Sequence, residues 1–519
     1  MDSPVQISRE LSKIDLNQLK LVLKGVNLMD LHLQYRGEGN ENLVFSLADI
    51  KYVLRLRKSA AAVRLETENE NLKLSFLYHY FIVRTFFANI FSLVPIIVEI
   101  PMEEINWLNE FFLKQRPDFR KEKQLFYNVA EVYPDLAFLP LFRNVDDHKC
   151  AEFLSMTPHI DFLKTHLSDE YIRHRNFVFS LFTNPAFRDQ QVALKNPSNL
   201  DTLCVEIKPK QGWTAEADRL SGICPFCLNQ YKKLSSQTVD SKSGYCPLDL
   251  FSGDSERMLR ALKELIKCPQ NNFRIFKDGN LVYSENGTSD LNSILCAWFD
   301  DEDVEKSINN FCYLLTKILT HEIPSGNESI TFVCDPLEKS DRNLSTRINV
   351  ELIEQILTML ETRCRQETSC LPDNSILGLI LRLQKIDSAG LDAVRNFHAH
   401  HASEYDSDYG YVYNIISRIE SRRPSKIINL NVLEAYLLST AAKDLSILMS
   451  FRRTAGNEIS SNIVVQDHSE RQYEAYVSVV DVGPKPISCL KKHKKRNENV
   501  INSFVAYHCA SSAKENKIC

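Results

Sequence analysis

The run VEIKPK holds the first residues in this chain whose types and spacing suggest chemistry. Read as a strand from Leu203 to Lys210, it places side chains two apart on one face, so Glu206, Lys208 and Lys210 converge while Pro209 points away. Two ammonium groups beside a carboxylate suit an anionic ligand, although a solvated edge strand with a pairing-blocking proline fits the same pattern. A glycine-rich bend, YRGEGN from Tyr35 to Asn40, enters two alternating apolar runs, Leu43–Leu47 and Tyr52–Lys58, that suit an antiparallel pair. Glycine lets backbone N–H groups approach phosphate oxygens, but such bends are also ordinary turns. Cys224 and Cys227 form a Cys-x-x-Cys pair, and Cys246 follows at a spacing compatible with a zinc knuckle that pins a CPLDLF strand to the preceding helix. No fourth ligand is evident, and buried free thiols are the alternative. A redox role is disfavoured because the pair does not open a helix after an evident strand. The basic run KKHKKR, Lys491 to Arg496, fits a localisation signal, a polyanion patch or a solvated segment.

The elements that must position these groups belong to a chain of 519 residues, 44% of them hydrophobic, long enough for one large core or two lobes. With 62 basic against 67 acidic residues the net charge is −5, so a broad nucleic-acid-binding field is disfavoured and an anion site must be a local basic cluster. Fourteen cysteines without a secretory start suggest reduced thiols in the cytoplasm or nucleus, and Asn286-Gly-Thr is then a turn. The most apolar stretch, Phe76 to Val98, is interrupted by His79, Arg84, Asn89 and Pro95, which favours a buried helix followed by a strand over a membrane span. Helical spacing extends from Leu72 to Phe112 and recurs at Ser255–Lys267, Val304–Leu319, Val350–Cys364 and Leu433–Ser450. A last strand reads from Glu474 to Pro486, whereas Asp146–Asn199 carries no legible motif. The expected class is α+β, with strands early, helices late and a cleft between lobes.

Taken together, YRGEGNENLV, RPDFR (Arg116–Arg120), VEIKPK, CPLDLFSG, PQNNFR (Pro269–Arg274), LQKIDSAG (Leu383–Gly390), TAAKDLSILMSF (Thr440–Phe451) and VDVGPKP (Val480–Pro486) resemble the inositol-pentakisphosphate 2-kinases, in the family's order. The resemblance implies a two-lobed inositol-phosphate-kinase-like fold. Residues 1–34 would be an N-terminal extension, 35–200 a smaller lobe with the nucleotide loop, and 201–519 a helix-rich lobe with the inositol phosphate site. It further implies a monomer using ATP and Mg²⁺ on an inositol pentakisphosphate, with no requirement for nucleic acid or membrane. By the same resemblance Gly37, Gly39, Asn40, Asn42, Arg55, Glu206 and Arg274 line the nucleotide site, with Arg55 in the role of a protein kinase's phosphate lysine. Arg120, Lys210, Lys233, Asn272 and Lys485 hold the inositol phosphates. Asp444 is the base for the substrate hydroxyl, Lys208 the cation near the moving phosphoryl, and Asp481 the Mg²⁺ ligand. Such a set suffices in type for phosphoryl transfer, which needs positioning and charge neutralisation more than covalent help.

Two departures stand out. Leu228, Asn229 and Gln230 replace a common Met-His-Gln, and PISCLKKHKKR lacks the arginine and tyrosine that some members place after the last lysine, leaving Lys491, Lys492 or Arg496 as substitutes. Neither the His-Arg-Asp and Asp-Phe-Gly motifs of protein kinases nor the Pro-x-x-x-Asp-x-Lys-x-Gly of the multikinases is present. The alternative is a non-catalytic inositol polyphosphate receptor or scaffold.

Overall fold

The computed structural model describes residues 16–62, 64–87, 90–139, 167–194, 201–218, 224–285, 290–323, 330–334, 369–421, 427–454 and 463–515. The turn expected at Asn286 and the helix expected at Val350–Cys364 lie outside these residues, as does much of Asp146–Asn199.

Within the described residues the chain is mixed α and β, with two six-stranded sheets and a parallel pair, β10 (Thr331–Cys334) with β11 (Ile427–Leu430). The first sheet is ordered β1 (Leu21–Val22), β5 (Ile96–Glu99), β6 (Val129–Pro134), β4 (Tyr52–Arg57), β3 (Asn42–Leu47), β2 (Leu33–Glu38). Only β1 and β5 run parallel in it. Alternation in YVLRLR sets its faces: Tyr52, Leu54 and Leu56 are buried, and Val53, Arg55 and Arg57 are half-buried. The second sheet is antiparallel, ordered β13 (Ile463–Gln466), β14 (Gln472–Val480), β12 (Ser446–Arg453), β7 (Leu203–Ile207), β8 (Phe273–Lys277), β9 (Asn280–Tyr283).

Hydrogen bonds to backbone carbonyls stitch the sheets together. Val479 N–H donates to the Phe91 carbonyl at 2.7 Å, and the Ser450 hydroxyl donates to the Leu136 carbonyl. Apolar side chains of both sheets belong to one contiguous core. Helix α1 (Leu65–Leu77) continues through a π-helical segment, Tyr78–Val83, to Phe86 before β5 forms, in line with the helix-then-strand reading of that region. No helix among the described residues is long and apolar enough to cross a membrane.

Helices α2 (Pro225–Ser235), α3 (Ser255–Lys267), α4 (Leu291–Phe299), α5 (Val304–Leu319), α6 (Ile376–Lys385), α7 (Leu391–His401), α8 (Gly410–Ser421), α9 (Val432–Ala442) and α10 (Cys489–Glu515) surround the second sheet's part of the chain. Polar caps fix several starts. Asp254 and Asp303 accept at the N-termini of α3 and α5, and Asn431 with Glu434 forms a full capping box on α9, where Arg418 reaches Glu434 at 2.6 Å.

Four expected boundaries are corrected. The VEIKPK strand ends at Ile207, because Pro209 has no N–H to pair and Lys210 takes a positive φ of 62°. The helix expected at Leu433–Ser450 stops at Ala442 and the chain re-enters the sheet as β12 from Ser446, which leaves Asp444 in the turn between them. The last strand ends at Val480, where Asp481 takes a φ of 59°, so the glycine-proline-lysine-proline run is loop. CPLDLF forms a helical turn, Pro247–Leu250, rather than a strand; Cys224 is the N-cap of α2, and the residues just before it lie outside those described.

His174, in the helix Asp169–Thr183, packs on the first sheet with Nε2 3.2 Å from the Tyr52 hydroxyl, and burial lowers its pKa to about 4. The unfolded chain then takes up a proton that the folded chain refuses, so this histidine's contribution is intact above pH ~6.5 and lost as pH falls toward 4. His174→Gln is expected to flatten the decline in urea midpoint between pH 7 and pH 5. An unchanged slope would show that His174 does not set it.

Candidate active site

The glycine-rich segment forms the β2–β3 hairpin. Its register shifts between Tyr35 and Gly37, and Gly37 sits in this irregularity with a φ of 151°, a conformation that favours glycine. Gly39 N–H closes the hairpin on the Asn42 carbonyl at 2.9 Å, and Lys123 donates to Asn40 at 3.0 and 3.1 Å. Between the glycines, Glu38 is buried against Arg116 at 3.0 and 3.1 Å and against Lys58. Arg116 also donates to the Arg120 carbonyl at 2.8 Å, which ties the hairpin to the RPDFR segment, and the Arg120 guanidinium lies 5.2 Å from the Phe119 ring centre.

Arg55 links the two sheets. Its Nε lies 3.7 Å from Glu131 on β6 and its Nη2 3.5 Å from Asp481, just after β14. With the Asn42 amide turned to satisfy both groups, its oxygen accepts from Arg55 Nη2 at 2.7 Å. A planar fork suits three such acceptors. Burial would weaken the charge on Arg55, but Glu131 and Asp481 more than offset it and raise its pKa. Across the gap, Glu206 accepts from Ser446 at 3.1 Å and from Arg274, its register neighbour on β8, at 3.4 Å. Tyr35 has Arg116, Arg120 and Arg274 as charged neighbours, so Arg120, from the helical turn Asp118–Arg120, and Arg274, from β8, lie near one region.

The second group gathers around Asp444. Lys485 Nζ lies 2.9 Å from Asp444 Oδ2 and Lys210 Nζ 3.7 Å from Oδ1. Burial works against ionisation of Asp444, yet Lys485, Lys210 and Lys208 outweigh it and hold the carboxyl below the usual range. Lys210 is lowered by burial and by Lys208 and Lys233, against the pull of Asp444. Lys233, on α2, donates to Gln270 at 2.5 Å. Asn272 is 1% exposed, and neither its amide nitrogen nor its amide oxygen has a partner, while its backbone carbonyl accepts from Lys208 N–H at 2.9 Å. At the Met-His-Gln positions, Leu228 is buried and Asn229 half-buried, and Gln230, which keeps the glutamine, accepts from Gln270 at 2.9 Å.

The structure therefore assembles the sequence-derived residues in two clusters. One joins Gly37, Gly39, Asn40, Asn42, Arg55 and Asp481, with Glu206, Arg274 and Arg120 close by. The other joins Lys208, Lys210, Lys233, Asn272, Asp444 and Lys485. Lys443, the chain neighbour of Asp444, pairs with buried Asp387 at 3.4 Å. Apart from both clusters, the Sγ atoms of Cys224, Cys227 and Cys246 lie within 4.8 Å of one another.

Two positioning groups escaped the sequence reading. Glu131 is a lone acid in an apolar strand, a signal in itself, since a buried carboxylate needs a cation. Gln384, fully buried in α6, donates to the Lys210 carbonyl at 2.9 Å and the Ala442 carbonyl at 3.0 Å and accepts from Gly212 N–H at 2.8 Å. It thereby sets the KPK segment against the turn that carries Asp444.

Cations converge on one carboxylate beside an unpartnered buried amide, with an arginine and a half-exposed acid at the other end, and groups of these types suit anionic ligands. The chain belongs to the inositol-pentakisphosphate 2-kinase family, whose sequence profile matches residues 35–499. An inositol-pentakisphosphate 2-kinase of Danio rerio is 23% identical over 91% of this chain and 92% of its own length. One from Drosophila melanogaster is 28% identical over 51% of each chain, so about half the length of that relative is spanned. One from Arabidopsis thaliana is 23% identical over 59% of this chain and 60% of its own.

Gln384→Ala is expected to strand three buried backbone groups and to lower stability by about 2–4 kcal/mol in urea titration. A change under about 0.5 kcal/mol would mean that water or a neighbour takes over its bonds.

Proposed function

We propose that the chain transfers the γ-phosphoryl group of ATP to the 2-hydroxyl of inositol 1,3,4,5,6-pentakisphosphate, giving the hexakisphosphate. The observation that carries this reading is Asp444 held among lysines from two separate loops, since a polyanionic alcohol needs both a proton acceptor and several local cations. The two sheets support a two-lobed division, with a nucleotide side up to residue 200 and an inositol side from 201; the N-terminal extension expected at 1–34 is corrected in part, because β1 (Leu21–Val22) pairs with β5 and so belongs to the first sheet. ATP then lies between the glycine hairpin with Arg55 and the pair Glu206–Arg274. Phosphates of the inositol engage Arg120, Lys210, Lys233, Asn272 and Lys485.

In the reaction the inositol 2-oxygen attacks the γ-phosphorus. A new O–P bond forms, the bond to the β,γ-bridging oxygen breaks, ADP leaves, and the hydroxyl proton passes to Asp444. Lys208 meets the charge on the moving group. Phosphates that draw Lys210 and Lys485 toward themselves take those cations off Asp444, which raises its proton affinity when substrate is in place. Asp481 fits a Mg²⁺ ligand, its carboxylate half-exposed at the strand end beside Arg55. The ion would supply charge neutralisation on the ATP phosphates. The three clustered thiols fit structural zinc, with a ligand set apart from the reacting groups. The reading extends to a monomer acting in the cytoplasm or nucleus.

Asp444→Asn should keep near-normal binding of both substrates and lose about 10²-fold or more in kcat. Asp481→Asn should instead weaken Mg²⁺-dependent nucleotide binding, with partial recovery at high Mg²⁺. Calorimetry beside turnover on a panel of inositol phosphates, with products resolved by ion exchange, checks both. Phosphorylation of another ring position would overturn the substrate assignment, and binding without turnover would make the chain a receptor. Elemental analysis of protein purified without chelator should find zinc near one per chain, and removing it should lower thermal stability before it alters kinetic constants. Zinc far below one per chain would return Cys224, Cys227 and Cys246 to buried thiols.

A further inference from the structure

Lys485 stands between two prolines, Pro484 and Pro486, in the stretch that leaves β14 at Val480 and reaches α10 at Cys489. Prolines carry no N–H, so across residues 484–486 the single backbone donor belongs to Lys485, and no sheet ladder holds the segment. One hydroxyl takes both of its groups. Lys485 N–H donates to the Tyr411 Oη at 3.1 Å, and the same Oη donates to the Lys485 carbonyl at 3.0 Å. Tyr411 lies in the first turn of α8 with no exposed surface, so its ring is fixed by packing. Asp408 secures the far side of the loop: its carbonyl accepts from Ile487 N–H at 3.0 Å, and its carboxylate accepts from Ser488 N–H at 3.2 Å and Oγ at 2.7 Å. The opposite lysine segment is held alike, for fully buried Tyr245 donates to the carbonyl of Pro209, between Lys208 and Lys210, at 2.7 Å.

We propose that Tyr411 is a positioning residue for phosphoryl transfer, its hydroxyl fixing the backbone of Lys485 so that the ammonium group meets both Asp444 and a substrate phosphate. Tyr411 itself touches neither substrate. Without the hydroxyl, the half-buried Lys485 backbone hydrates and the side chain leaves the carboxylate, a small displacement with a large kinetic effect. This rests on the reading of Lys485 and Asp444 as substrate-side groups.

The test is a double-mutant cycle on the full chain, with Tyr411→Phe, Lys485→Ala and the pair, measuring kinetics with each substrate varied alongside thermal unfolding. Tyr411→Phe should raise KM for the inositol phosphate roughly tenfold, lower kcat several-fold and leave KM for ATP within about twofold. The double variant should be little worse than Lys485→Ala alone, because the tyrosine acts through that lysine. Wild-type kinetics in Tyr411→Phe with only a lower melting temperature would overturn the proposal, as would losses that multiply in the double variant. Wild-type constants in Lys485→Ala would remove the site reading and this proposal with it. Should Tyr411→Phe fail to fold, Asp408→Ala releases the same loop from an exposed position and must give the same split between the two KM values for the proposal to stand.

Discussion

Ammonium groups repel, and the second cluster holds Lys208, Lys210 and Lys485 near one carboxylate, Asp444, with Lys233 beside Lys210. No such arrangement assembles from side-chain attraction alone, so the backbone must hold it. The elements that do so are the end of β7, the turn between α9 and β12, the loop after β14, and α2. Three of these leave adjacent strands of one sheet, because β7 and β14 both pair with β12. The sheet brings the segments side by side.

The nucleotide side depends on a different link. Arg55 belongs to the first sheet and Asp481 to the end of a strand in the second, so a proposed phosphate ligand and a proposed metal ligand are kept together only while the sheets hold their relation. The Val479–Phe91 backbone bond lies two residues from Asp481 and keeps that relation close to where it matters. Glu38 does similar work within the first sheet. With Arg116 and Lys58 buried around it, the glycine hairpin and the Arg120 segment move as one piece.

The sequence made the alternating strands and the helices around them legible, since β4 and α3 follow their periods, and motif order pointed to the family. Boundaries near the site were harder. Residues Leu433–Phe451 contain no glycine or proline to mark a break, and β12 lies in the middle of a sheet where alternation fades. Helix and strand therefore read as one element. Strand alternation put Glu206, Lys208 and Lys210 on one face, whereas the structure pairs Glu206 with Ser446 and Arg274 and leaves the two lysines beside Asp444, with Lys210 turned by a positive φ and its carbonyl fixed from α6. Gln384, Tyr245 and Tyr411 were not legible as positioning groups because their partners lie far away along the chain, and a buried tyrosine looks like any other core residue.

These three side chains share a property that follows from the first constraint. Proline stiffens the KPK and PKP segments but removes the N–H groups by which a sheet would hold them, and the carbonyls of Pro209, Lys210 and Lys485 need donors from elsewhere. A charged donor would add to the repulsion among the lysines, and a charged acceptor would compete with Asp444 for them. Neutral hydroxyl and amide groups do neither. Tyr245, Gln384 and Tyr411 each meet one of those carbonyls with a dipole and no net charge, and all three are fully buried, so the aim of the lysines is set by packing while their field is left for the ligand.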